Sequence, residues 1–409
     1  ALDRSARQLK RNMATRGDTA IWFESPFTKI APLDLPAPTG KVDPVVRVAL
    51  AGNERESFQL VVRPPDGQTL RQIQIKPSRL VDGRTGAAIE ASAISIARVG
   101  FVDVPIPSYY EGPTGQWPDP LLPVNGSLDA EGGICTPIWF TVQAPANARA
   151  GLYTGTIELY APDLPPTELV VEVEVFPFAL PERPALMTDF GFDPVRALDN
   201  AKRFGYSGSG DGLVEAYRVL ADDARVTLRS LAQLPPESPD YPAALQAFRR
   251  KLNEGAFAQA SSFAVPASLL DFPEQLAQAN AFVRDNGLAG RAFMHLAHQP
   301  MRHAWNRYFE KLQLLRDTAP DIPAMVTTIG IDPLLHEAID IWGVHLPLFD
   351  TAPREALISH IEGEGRVWGY VSHEPPRPYG NLFVDNTVLE HRVLFWQQYA
   401  LGLEGMFYE

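Results

Sequence analysis

Short apolar runs broken by turn residues dominate residues 1–183. The runs at 45–50, 57–62, 94–99, 138–142, 155–160 and 168–175 are β-branched or aromatic and bounded by Pro, Gly and Asp, which predicts strands. Glu168-Leu-Val-Val-Glu-Val-Glu-Val175 alternates apolar and charged residues in its second part, as a half-buried strand does. Ala150-Gly-Leu-Tyr-Thr-Gly155 lies between two such runs and reads as a strand-to-strand turn. Regular strands with almost no helical period predict an antiparallel β-sandwich. The Pro-rich joint Pro177-Phe-Ala-Leu-Pro-Glu-Arg-Pro184 ends it, so domains are expected at 1–183 and 184–409.

Beyond the joint the period changes. Amphipathic helical stretches at 213–223, 241–253, 272–286, 301–318, 353–363 and 387–401 alternate with apolar runs. Those runs stand at 186–190, 226–231, 262–265, 292–296, 324–328, 339–342, 367–371 and 405–408. Strands interleaved with helices in this way predict a (β/α)8 TIM-type barrel. No helix follows the last run: it is either missing or trimmed away. The first residue is Ala1, so either a leader was removed or the sequence was trimmed.

Composition narrows the functional classes. A length of 409 residues suits two to three domains, and 45% hydrophobic with 21% charged residues allows sizeable cores. The 38 prolines imply many stiff connections. A formal charge of −13, with no Lys/Arg run, argues against nucleic acid as a partner. Cys135 is the one cysteine, which excludes an internal disulfide and a Cys-based zinc site. No run of about 18 apolar residues could span a membrane. The Gly-rich stretch 205–212 lacks the Lys-Ser/Thr of a phosphate loop and reads as a surface loop. Asn125-Gly-Ser127 reads as a turn.

In a barrel of this type, chemistry sits at the C-terminal ends of the strands. The first run ends at Asp189, the fourth in His298-Gln-Pro300 and the sixth at Trp342. The seventh carries Tyr370 and ends in Ser372-His-Glu-Pro375, and the eighth ends at Tyr408-Glu409. Carboxylates and aromatics together suit sugar hydrolysis, which takes two carboxyls flanking the glycosidic bond, with aromatic faces against the ring. The competing reading makes Trp342 and Tyr370 barrel filling and Glu374 a solvated loop residue. All 8 histidines fall in the second half. His295 is expected inside strand four, and His298 and His373 at the site face. With no HExxH and no G-x-S-x-G, neither a metal site nor a serine hydrolase is expected.

Several motifs carry a family resemblance. They are Ala51-Gly-Asn-Glu-Arg-Glu-Ser-Phe-Gln59, Val99-Gly-Phe-Val-Asp-Val104 and Trp117-Pro-Asp-Pro-Leu-Leu-Pro123 in the first half. Val367-Trp-Gly-Tyr-Val371, Asn381-Leu-Phe-Val-Asp385, Glu390-His-Arg392 and Gly405-Met-Phe-Tyr408 follow in the second. Over nearly the whole chain the sequence resembles the domain-of-unknown-function family 4091 and its relative, glycoside hydrolase family 123. The resemblance implies a sandwich followed by a barrel, export, and action on glycans. It also implies an Asp-Glu-Pro end to strand four: the Glu as general acid, and the Asp orienting an acetamido group that serves as nucleophile. His298-Gln299-Pro300 departs from that, because an amide is no acid.

Three readings stay open. Gln299 is an inactivating substitution of a native Glu, the protein is an inactive sugar binder, or the acid comes from Glu374, Asp189 or Glu409. The working expectation is a periplasmic or secreted glycoside hydrolase of a bacterial poly- or oligosaccharide, acting with retention. Glu374 would be its nucleophile and position 299 its acid/base. Asp189, His298, Trp342, Tyr370, His373, Tyr408 and Glu409 would bind substrate, with no cofactor. An N-acetylhexosaminidase with a substrate-assisted mechanism is the further alternative.

Overall fold

The computed structural model describes residues 19–35, 45–109, 112–351 and 354–409. It divides into two compact units. The first is Ala1–Pro181 with Leu382–His391, and the second is Glu182–Asn381 with Arg392–Glu409. The boundary expected after 183 thus falls after 181, and a segment near the C-terminus belongs with the first unit.

In the first unit the strands are β1 (Ala20–Glu24), β2 (Val45–Gly52), β3 (Arg55–Arg63), β4 (Leu70–Pro77), β5 (Leu80–Asp82) and β6 (Ala88–Ile89). They continue with β7 (Ile94–Val104), β8 (Gly115–Pro123), β9 (Leu128–Ala130), β10 (Thr136–Gln143), β11 (Gly151–Ala161) and β12 (Leu164–Ala179). One 5-stranded sheet runs β1-β3-β10-β7-β8, and a 7-stranded sheet runs β2-β12-β11-β4-β9 with β5 and β6 attached. The described ladders are antiparallel except β2–β12, which is parallel. The alternation read in β12 holds: Val171, Val173 and Val175 are buried while Glu172 and Glu174 face outward. Inner faces of both sheets supply one apolar core, including Phe58, Leu60, Phe140, Ile157 and Val173. Phe58 and Phe140 stack with ring centroids 5.0 Å apart.

The second unit carries β13 (Met187–Phe190), β14 (Phe263–Ala264), β15 (Ala292–His298), β16 (Ala324–Thr328), β17 (Ile341–His345), β18 (Arg366–Val371) and β19 (Gly405–Tyr408). These form a 7-stranded sheet in the order β13-β19-β18-β17-β16-β15-β14, with parallel ladders throughout. Its helices are α1 (Pro194–Arg203), α2 (Gly210–Asp223), α3 (Tyr241–Asn253), α4 (Pro273–Asp285), α5 (Trp305–Thr318), α6 (Pro333–His336) and α7 (Arg354–Glu362). A last helix, α8 (Val388–Ala400), begins in the segment assigned to the first unit.

The expected eight-stranded closure is corrected at its second run, 226–231. No strand forms there; single bridges join Phe190 to Leu228 and Gln233 to Ala264. Side-chain hydroxyls take over from the ladder. The Thr227 N–H donates to Thr188 Oγ1 at 2.9 Å, the Ser261 N–H to Thr227 Oγ1 at 2.9 Å, and the Thr188 N–H to Ser261 Oγ at 2.9 Å. Backbone donors satisfied by hydroxyls need no partner carbonyl. The result is a parallel-strand near-barrel.

Candidate functional site

Strand parity decides which side chains enter the barrel. Phe293, Met325, Ile341, Trp368, Tyr370 and Phe407 form its apolar floor, with Met187 packed against them. Residues in step with these at the C-terminal strand ends therefore point toward the mouth. Asp189 on β13, Thr327 on β16, His345 on β17 and Glu409 just after β19 are of this class.

On β15 the parity is broken. A register irregularity between His295 and Ala297 makes Leu296 an extra residue, so His295 pairs with Met325 and His298 with Thr327. Such a bulge re-aims the residues beyond it. Both imidazoles consequently reach one hydroxyl. His295 Nε2 lies 3.1 Å and His298 Nδ1 3.2 Å from Thr327 Oγ1. His298 Nδ1 also lies 3.0 Å from Glu409 Oε2 and 3.5 Å from the Tyr370 hydroxyl. Burial pushes the His295 imidazole down to about 3, with the Arg229 charge adding. Gln299 follows with φ 41°, a left-handed backbone uncommon outside glycine; its N–H donates to Thr327 O at 2.7 Å.

Tyr370 lies at the centre. It is fully buried, and its ring stacks on His345 with centroids 4.6 Å apart. Burial raises its phenol above the usual range. The Glu409 and Glu374 charges add to this, and hydrogen bonds with the Ser372 and Gln299 side chains oppose it. Burial likewise lowers His345 to about 4, against the pull of Glu374 and with His298 and His373 adding. Glu374 and His373 are exposed on the loop after β18. That loop is held from within: the Ser372 N–H donates to Glu374 O at 2.8 Å, and Asn381 Nδ2 donates to Ser372 O and Pro375 O at 3.0 and 3.2 Å.

Asp189 is 1% exposed. Its Oδ1 accepts from Arg229 Nε at 2.5 Å, and the guanidinium lies 4.1 Å over the Phe407 ring. Burial raises this carboxyl to about 6, with Arg229 opposing and Glu409 adding.

Asp189, His298, Gln299, Tyr370, His373, Glu374 and Glu409 are thus brought into one neighbourhood. Two expected residues are not. β17 runs on to His345, beyond the run expected to end at Trp342. Trp342 therefore takes the outer face, where its ring stacks on His360 of α7 at 3.7 Å and its Nε1 donates to His336 O at 2.9 Å. Tyr408 is out of step with Glu409 and packs on Phe190, centroids 5.4 Å apart. Sequence reasoning misses Arg229 and His345, and names Thr327 and Ser372 only as strand ends, with no role at the site. The sequence signal for His345 is its place three residues past Trp342. Among the described residues no group of three or more His, Cys, Asp or Glu could hold a metal ion, and no helix is long and apolar enough to cross a membrane.

Residues 268–408 match the family model for the glycoside hydrolase 123 catalytic domain. The chain is similar to a glycoside hydrolase. A family 123 glycoside hydrolase from Clostridium perfringens, described for glycolipid glycan hydrolysis, superposes with a TM-score of 0.71 at 12% identity, over 95% of this chain and 78% of that one. A GH5 xyloglucanase from Bacteroides ovatus gives 0.29 at 11% identity over 90% and 92%, too low to support any inference. No curated protein matches in sequence. At 12% identity the first likeness concerns the fold. The matched stretch holds His298, Gln299, Tyr370 and Glu374 and leaves out Asp189 and Arg229.

Proposed function

We propose that the second unit cleaves a glycosidic bond in an oligo- or polysaccharide, with retention and with Glu374 as nucleophile. The observation that carries this is the cluster at the strand ends: His298 Nδ1 lies 3.0 Å from Glu409 Oε2 and 3.5 Å from the Tyr370 hydroxyl, and Glu374 is exposed on the loop that follows Tyr370. Two exposed carboxylates beside neutral hydrogen-bonding groups suit the cleavage of a glycosidic bond. The family match over 268–408 supports the same reaction class. Gln299 serves as a neutral partner of Tyr370 and of sugar hydroxyls, since its amide has no acidic proton. An exported location, periplasmic or secreted, belongs to this reading.

The test is release of sugar from aryl glycosides, bacterial oligosaccharides and a glycolipid glycan, with the product anomer followed by NMR. Glu374→Ala should lower turnover on the order of 10⁶-fold, the scale of removing a nucleophile. An inverted anomer, or full activity in Glu374→Ala, sinks the assignment. A second reading, a sugar-binding protein without turnover, is favoured by the amide at 299; it predicts saturable binding and no released sugar on every probe.

A further inference from the structure

A retaining glycosidase needs a group that gives a proton to the leaving oxygen and later takes one from water. Position 299 holds an amide. We infer that His298, fixed by Glu409, is that proton donor and acceptor; this rests on the hydrolase reading above.

Hydrogen-bond inventory fixes the tautomer. A carboxylate only accepts, so the 3.0 Å contact with Glu409 Oε2 puts a proton on His298 Nδ1. Thr327 agrees. Its hydroxyl has His295 Nε2 at 3.1 Å as a partner for its own proton. Thr327 Oγ1 is then an acceptor for His298 Nδ1–H at 3.2 Å. In neutral His298 the lone pair therefore sits on Nε2. The side chain is 44% exposed and its carboxylate partner 42%, so a substrate can reach the pair. A carboxylate behind Nδ1 that holds the ring and stabilises its cation is the arrangement by which histidine becomes an effective acid/base. The Leu296 bulge is what delivers His298 to this position.

The steps balance. A Glu374 oxygen bonds to the anomeric carbon as the glycosidic C–O bond breaks, and the leaving oxygen takes the proton from Nε2 of the imidazolium. Neutral Nε2 then takes a proton from water, the water oxygen bonds to the anomeric carbon, and the bond to Glu374 breaks. The carboxylate and the imidazolium are restored.

His298→Ala is tested on two glycosides of one sugar, one with a 2,4-dinitrophenyl and one with a methyl leaving group. The dinitrophenolate leaves without a proton. The variant should lose about 10²–10⁴-fold in kcat/KM on the methyl glycoside and little on the other, and azide should restore turnover as the retained glycosyl azide. Glu409→Gln should show the same leaving-group dependence with a smaller loss. In wild type, ¹⁵N shifts should show neutral His298 protonated at Nδ1. Equal losses on both glycosides, no azide product, or an Nε2–H tautomer overturns the role. If wild type hydrolyses no glycoside, the hydrolase reading falls and this role with it. If wild type hydrolyses and the leaving groups are not distinguished, this role falls alone.

Discussion

The interiors of the two units are built on opposite terms. Between the sandwich sheets a large apolar cluster draws on strands of both sheets, with Gln59, Arg63 and Thr136 buried on β3 and β10 beside it. Its buried Asp82 holds a turn at the margin, accepting from the Arg84 N–H and the Thr85 hydroxyl. The near-barrel has a floor of six buried apolar side chains. Thr188, Asp189, Thr227, Ser261, Thr327 and His345 are buried too. Burying polar groups costs stability unless each is partnered. The sandwich interior is mostly apolar, whereas the barrel interior also holds a buried ion pair and a set of hydroxyls that partner backbone N–H groups.

The largest expected effect tests the first half of that contrast. Phe140 is fully buried and stacks on Phe58 at 5.0 Å. Phe140→Ala should cost about 3–5 kcal/mol of sandwich stability, from lost burial and the cavity left behind. Urea unfolding measures it. A loss below about 1 kcal/mol would mean that the sheets close over the gap and that this core is not tightly packed.

The next effect sharpens the second half, because two buried barrel groups oppose each other with pH. Asp189 is raised from 3.8 to about 6, chiefly by burial. Its native form holds a proton that the unfolded chain releases, so this group lowers stability as pH rises between those values. His295 is lowered from 6.5 to about 3, again chiefly by burial. Its unfolded form takes a proton that the native form refuses, so it lowers stability as pH falls through the same window. The shifts correspond to roughly 3 kcal/mol for Asp189 and roughly 5 kcal/mol for His295 across their ranges. Asp189→Asn should therefore steepen the rise of stability from pH 4 to 6, and His295→Gln should flatten or reverse it. Unfolding curves at several pH values check both; an unchanged slope in either variant removes that group from the balance.

How far this contrast was legible in the sequence depends on the kind of signal. Alternation in 168–175 and the period of 241–253 were legible because each element follows its own local rule, β12 pleated and α3 amphipathic. Run 226–231 looked like a strand because Val226, Leu228 and Leu231 are apolar. Nothing local shows that Thr188, Thr227 and Ser261 bond to one another across distant parts of the chain. The site suffered in the same way. A bulge at Leu296 is a property of β15 paired with β16, and composition does not reveal it. Ending the sixth strand at Trp342 chose the wrong parity, which hid His345 and put an outward indole in the groove. Arg229 lies inside run 226–231, where a strand pattern gives it no role, whereas its guanidinium completes the Asp189 pair.

The smallest effect isolates burial from distance. Arg229 meets Asp189 at 2.5 Å, and Arg218 on α2 meets Glu215 and Asp222 at 2.5 Å each. The geometry is equal, but the Asp189 side chain is 1% exposed, against 59% for Glu215 and 30% for Asp222. Water and salt screen the α2 pairs, and ordering three long side chains offsets much of the attraction. Arg218→Ala should then cost less than about 1 kcal/mol, and less still in high salt. Arg229→Ala leaves a buried carboxylate with no cation and should cost several-fold more. Denaturant midpoints of the two variants at low and high salt decide it. Equal losses would mean that Asp189 is not held in a low-dielectric interior, and the barrel would then resemble its own surface more than the contrast with the sandwich allows.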